Sequence, residues 1–278
     1  MSHFKSLKGD NWEYEEFGNG SEPLLAFHGF DNHSSDFKGL EPALGKRFKI
    51  ISFNLPYHRS SESGAGIMEG EPQHPTPDSL LTKDDLKELV ETCLAQNSVK
   101  TFSLMGYSLG GRIVLQLISL FTDRINTVIL FAPDGIRNNW ENSFITKTSF
   151  GKMVYQRIIN NPSRLFKIVT LLKTIKLINP KLSDFVHNQL STREKRQLVW
   201  DVSRYLQNIK PDVSNIQRII NTNKINIHLF FGKYDSIIPP SIGKRFVRGL
   251  NNKSVLHIVE SGHNLVREKM NAELIDVL

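Results

Sequence analysis

The 278-residue chain contains one cysteine, Cys93. An internal disulfide and a thiolate zinc cluster are therefore both excluded. Cys93 is read as a helix residue packed beside Leu89 and Val90. Behind Met1-Ser2-His3-Phe4-Lys5 there is no apolar run of the kind that marks a secretory leader. The longest apolar stretches are strand-sized, such as Val128 to Ala132, far short of the ~20 residues a membrane span requires. The histidines lack a ligand spacing such as H-E-x-x-H, so no metal site is expected. No internal repeat is found. These absences lead to an expectation of a cytoplasmic protein of a reducing compartment, with no stable membrane insertion.

Acidic residues are scarce in one segment only. Between Ile136 and Lys224 there are 16 Lys/Arg against 5 Asp/Glu. That segment carries +11, whereas the whole chain carries +7, so the remainder is acidic by 4.

Short apolar runs recur through the rest. His3–Lys8 and Trp12–Phe17 read as a hairpin turned at Gly9-Asp10. Runs follow at 23–27, 48–53, 101–105, 127–131, 227–231 and 255–259. Helical patterns lie between most of them. Thr82, with Asp85 three positions on, reads as a helix cap, and Leu86, Leu89, Val90, Cys93 and Leu94 share one face. Short buried strands alternating with helices predict an α/β fold, a mostly parallel, twisted sheet with helices on both faces. From Gly135 to Thr222 the alternation gives way to helices alone, read as a helical cap inserted after the sixth strand. The expected division is 1–134 and 223–278 for the core and 135–222 for the cap. Residues 60–78 are rich in Ser, Gly and Pro and read as a surface loop.

In open sheets of this kind ligands bind beyond the carboxyl ends of the strands. Gly106-Tyr107-Ser108-Leu109-Gly110 occupies such a place and matches G-x-S-x-G. A bare match arises by chance in roughly one chain in ten of this length. The setting is more telling, because a strand precedes it and a helix follows at once, as a nucleophile elbow requires. A serine hydroxyl needs a base. His263, in Glu260-Ser261-Gly262-His263-Asn264 after the last run, is the candidate, while His257 lies within that run and reads as structural. An imidazole base needs a carboxylate. Asp235, in Gly232-Lys233-Tyr234-Asp235-Ser236, is the candidate. Asp134, in Ala132-Pro133-Asp134-Gly135, is its rival, or else caps the start of the insertion.

With these residues in view, the chain resembles the α/β-hydrolase superfamily, whose order of nucleophile, acid and base is that of Ser108, Asp235 and His263. His28-Gly29-Phe30-Asp31 resembles the family's oxyanion-loop motif. The resemblance implies an oxyanion hole built from the backbone N–H groups of Phe30 and Leu109, with the His28 ring only bracing its loop. Asn54-Leu55-Pro56-Tyr57-His58-Arg59-Ser60-Ser61 is similar to the family segment D-x-P-G-x-G-x-S, with Asn, Tyr and Arg in place of the Asp and the first two Gly. The activity implied is cofactor-independent ester hydrolysis on small to medium acyl substrates through an acyl-enzyme on Ser108. A thioesterase, a C–C bond hydrolase, a lyase or a cofactor-free oxidative enzyme would use the same fold, and a receptor with little turnover would keep the same pocket. Tyr107, Trp140 and Phe144 are candidates for lining that pocket, and core packing is an equal reading of Tyr107. Leu165, Ile168, Val169, Leu172 and Ile175 are expected to form the buried face of a cap helix. The basic cap is expected to serve solubility, an anionic substrate or peripheral contact with an anionic membrane. No nucleic-acid motif accompanies the charge, so no nucleic-acid partner is expected.

Overall fold

In the computed structural model the described residues are 2–5, 11–58, 80–97, 99–137, 145–252 and 255–278. The expected turn at Gly9-Asp10, the loop 60–78, Trp140 and Phe144 lie outside them.

The chain divides into two compact units. The first holds Met1–Pro72, Thr82–Arg137 and Ile209–Leu278; the second holds Gln73–Leu81 and Asn138–Asn208. The expected insertion ran from 135 to 222. The helix Val213–Asn223 groups instead with the first unit, where Ile216, Ile219 and Ile220 are buried.

Eight strands form the sheet of the first unit: β1 Ser2–Lys5, β2 Asn11–Phe17, β3 Glu22–Phe27, β4 Phe48–Asn54, β5 Phe102–Tyr107, β6 Ile125–Phe131, β7 Asn226–Gly232 and β8 Leu256–Val259. Their spatial order is β1-β2-β4-β3-β5-β6-β7-β8. β2 runs antiparallel to β1 and β4, and every other pairing is parallel. Helices lie on both faces. A strand covered on both sides buries successive side chains, not alternate ones. Leu24, Leu25, Ala26 and Phe27 of β3 are accordingly all inaccessible. The register slips between Phe102 and Leu104 on β5, and there the Ser103 hydroxyl accepts the Thr127 N–H at 3.1 Å.

Thr82 caps the helix Lys83–Gln96 as expected. Its hydroxyl accepts the Asp85 N–H and the Asp85 carboxylate accepts the Thr82 N–H. The five apolar residues assigned to one face of that helix are its buried ones. Cys93 is among them, and burial raises its thiol pKa to about 12, which keeps it protonated and inert. His257 on β8 lies 3.3 Å from the His228 ring on β7 and stacks on Phe230, a structural placement.

The second unit is helical, with Ser149–Asn160, Ser163–Thr174, Pro180–Gln189 and Arg193–Tyr205. Its core is formed by Tyr155, Ile159 and Trp200, with the Tyr155 and Trp200 rings stacked at 5.1 Å. Arg196 is buried beside them, and its guanidinium donates to the carbonyls of Ile159 and Leu190. One expectation fails in the helix Ser163–Thr174. Val169 is buried and Leu165 and Leu172 are half-buried, but Ile168 and Ile175 are exposed. The helix is apolar around more of its circumference than one buried face needs, so periodicity alone overassigned its core. Among the described residues no helix is long and apolar enough to cross a membrane.

Candidate active site

Ser108 stands between β5 and the helix Leu109–Leu120, with φ 47° and ψ −111°. A non-glycine residue at positive φ is strained and persists only where its surroundings hold it. Here the backbone is held on three sides. The Ser108 N–H donates to the Phe131 carbonyl at 2.9 Å, and the Ser108 carbonyl accepts the N–H groups of Gly111 and Asp134. Such a turn brings the helix start hard against the neighbouring strand. A Cβ at Gly110 would collide with the Phe27 carbonyl, and one at Gly111 with Pro133.

This crowding decides the sign of one substitution. Alanine is favoured over glycine within a helix by about 0.8–1.0 kcal/mol. Gly110→Ala is nevertheless expected to destabilise by about 1–3 kcal/mol, because overpacking outweighs propensity. Thermal unfolding checks this; a raised midpoint would contradict it.

Asp235 and His263 stand in the loops that follow β7 and β8. Beyond these strands the two loops are zipped together: the Lys233 N–H donates to the Val259 carbonyl, and the Tyr234 N–H to the Ser261 carbonyl. A side chain at Gly232 would strike the backbone of Ser261 and Gly262, so only glycine allows this approach. The turn closes with the Asp235 N–H donating to the Gly232 carbonyl at 3.1 Å.

The result is a continuous chain of hydrogen bonds. His263 Nε2 lies 3.1 Å from Ser108 Oγ, and His263 Nδ1 lies 2.7 Å from Asp235 Oδ2. Asp235 Oδ1 accepts the N–H groups of Ile237 at 2.8 Å and Ile238 at 3.0 Å. The carboxylate is wholly buried, yet three N–H groups compensate its charge. With Nδ1–H donating to Asp235, Nε2 is left as the acceptor facing the serine hydroxyl.

Asp134 takes no part in that chain. Its carboxylate pairs with Arg112 and also accepts the Gly135 N–H at 2.7 Å. Its amide holds the elbow, as described above.

Phe30 and Leu109 sit at the start of the loop after β3 and of the helix after Ser108. Among the described residues neither backbone N–H has an acceptor. Asp31, at φ 58°, turns the chain back behind Phe30. His28 braces this loop from beneath. Its Nδ1–H donates to the Gly29 carbonyl at 2.7 Å, and its Nε2 accepts the Leu55 N–H at 2.9 Å. The Asn54 side chain lies 3.1 Å from the same nitrogen. Burial holds the His28 pKa well below the usual imidazole range, and the nearby His58 lowers it further. His28 is thus a neutral strut between two loops.

Tyr107 is 6% exposed. Its ring lies against Gly29 and 5.4 Å from the His263 ring, and its hydroxyl donates to the His263 carbonyl at 3.1 Å. Burial raises its phenol pKa, so it remains a donor. The sequence reading missed this contact, the Asp134 amide and the two isoleucine amides, all of which involve backbone atoms that no motif names. Among the described residues no group of three His, Cys, Asp or Glu could hold a metal ion.

The chain is similar to several known proteins. The sequence profile described as the α/β-hydrolase fold matches residues 22–179. An uncharacterised hydrolase of Bacillus subtilis, YugF, is 23% identical over 95% of this chain and 92% of its own length. Human monoacylglycerol lipase ABHD6 is 21% identical over 88% of this chain and 71% of its own. Among solved structures, a thermophilic esterase from Thermogutta terrifontis superposes with a TM-score of 0.64 at 15% identity, covering 99% of this chain and 96% of the other.

Proposed function

Since the chain belongs to the α/β-hydrolase-fold family, we propose that it is a cofactor-independent serine hydrolase of carboxylic esters with small to medium acyl groups. One observation carries the proposal: the chain from Ser108 Oγ through His263 to the buried Asp235 carboxylate, at 3.1 and 2.7 Å. In this reading Ser108 attacks the acyl carbonyl while His263 Nε2 takes its proton. Asp235 holds the ring in its tautomer and stabilises the imidazolium. The N–H groups of Phe30 and Leu109 stabilise the tetrahedral oxyanion. The leaving alcohol departs with the proton from His263. Water, deprotonated by the same nitrogen, then attacks the acyl-enzyme, and His263 returns that proton to Ser108 Oγ as the acid leaves. Tyr107 acts through His263 by fixing the base loop. A relative named as a monoacylglycerol lipase and a structural neighbour named as an esterase support ester bonds as the target.

The test is hydrolysis of p-nitrophenyl esters of increasing acyl length, beside labelling by a fluorophosphonate. The proposal predicts both turnover and labelling, with the acyl-length profile reporting the pocket. Labelling without turnover across the ester series would favour a receptor or a non-ester substrate instead.

A further inference from the structure

We infer that the outer stripe of the helix Ser163–Thr174 is a peripheral docking surface for an anionic phospholipid bilayer. The helix has an inner face of its own, with Val169 buried and Leu165 and Leu172 half-buried. Its outer face is also apolar. Ile168, Leu171 and Ile175 are 55%, 58% and 53% exposed, and Leu177 just beyond is 69% exposed. At ~100° per residue the first three fall within about 60° of one another, so they form one continuous stripe. Arg164 falls in the same sector, and Lys167 borders it. Solvent alone gives no reason for this clustering of large aliphatic side chains.

Charge identifies the occupant. From Asn142 to Ser183 the sequence holds eight Lys/Arg and no Asp or Glu. Arg164, Lys167 and Lys176 are exposed, whereas Lys173 is turned toward Asp184 and paired with it at 3.0 Å. Aliphatic side chains bordered by exposed cations match the boundary between acyl chains and anionic headgroups. A second copy of the chain fits poorly, because a two-fold contact through this stripe would oppose like charges. The helix has 12 residues, about 18 Å, too short to span a bilayer, so it lies along the surface. The preceding helix, Ser149–Asn160, also leaves Met153 exposed, beside exposed Lys152.

Vesicle binding reads this surface without turnover, so its failure is separate from failure of the proposed ester chemistry. The full chain is floated with phosphatidylcholine vesicles and with vesicles containing about 30% phosphatidylglycerol. Binding to the anionic vesicles is expected to be at least about tenfold tighter, and to weaken as salt rises from about 0.05 to about 0.5 M. Ile168→Gln/Leu171→Gln/Ile175→Gln and Lys167→Glu/Lys176→Glu should each lower it about tenfold, with hydrolysis of a water-soluble ester unchanged. Should the glutamine variant misfold, Leu171→Trp in the otherwise native chain is expected to show a blue-shifted emission only with anionic vesicles. Equal binding to both vesicle types, no binding, or binding that survives both sets of substitutions would overturn the inference. So would a dimer in sedimentation that the glutamine substitutions dissolve, since the stripe would then be a contact between copies.

Discussion

Ser108→Ala is expected to lower kcat/KM on a p-nitrophenyl ester by about 10⁴–10⁶-fold, the scale on which a nucleophile's loss is felt when its partners act as one unit. The substitution removes only Oγ. The Cβ and the backbone bonds to Phe131, Gly111 and Asp134 remain, so the fold should be preserved. His263 would keep its bond to Asp235 and have nothing to deprotonate. Binding is expected to persist, with the loss falling on kcat and not on KM. Activity within tenfold of the native protein would assign the nucleophile elsewhere.

The second large effect separates two aspartates. Asp235→Asn is expected to reduce kcat by about 10⁴-fold, because an amide nitrogen facing His263 Nδ1 would favour the wrong tautomer. Nε2 would then carry the proton and could not accept one from Ser108. Asp134→Asn touches neither ring nitrogen. It weakens the ion pair with Arg112 behind the elbow, so it should lower the unfolding temperature and leave kcat within about tenfold. Measuring both variants on one ester decides the assignment. If Asp134→Asn proves the more damaging to kcat, Asp235 is not the acid.

The helix Lys83–Gln96 shows why much of the fold was legible. Its cap, its acidic partner and its buried face are all encoded within 15 residues of chain, so local physics suffices. The buried strands were legible for a similar reason, since a parallel strand covered on both faces is an unbroken apolar run bounded by turns. Ser108 was legible because the strained turn, the preceding strand and the following helix leave a compact pattern. The partnering of Asp235 and His263 lies 28 residues apart in sequence and became readable only once both were seen to follow strands.

What stayed hidden is tertiary. The helix Val213–Asn223 has an ordinary amphipathic pattern, which does not say which unit its isoleucines pack with. Ile168 and Ile175 stand three or four residues from Leu165 or Leu172, an ordinary helical spacing, and the packing shows that they lie off the buried face. The zipping of 233–234 onto 259–261, and the hold of Tyr107 on the His263 carbonyl, are contacts to main chain. Main-chain partners carry no residue code, so pattern reading passes over them. Phe30 and Leu109 entered as oxyanion donors through family resemblance, because the availability of a backbone N–H depends on loop conformation.

The central claim is that the His263–Asp235 pair activates the Ser108 hydroxyl. It is tested most directly by mass spectrometry of the native protein after brief exposure to a fluorophosphonate, with peptide mapping of the adduct. The account predicts a single adduct on Ser108 in the folded chain and none after heat denaturation, since serine is reactive only where the base is held against it. No adduct on the folded chain, or one on another residue, would contradict it.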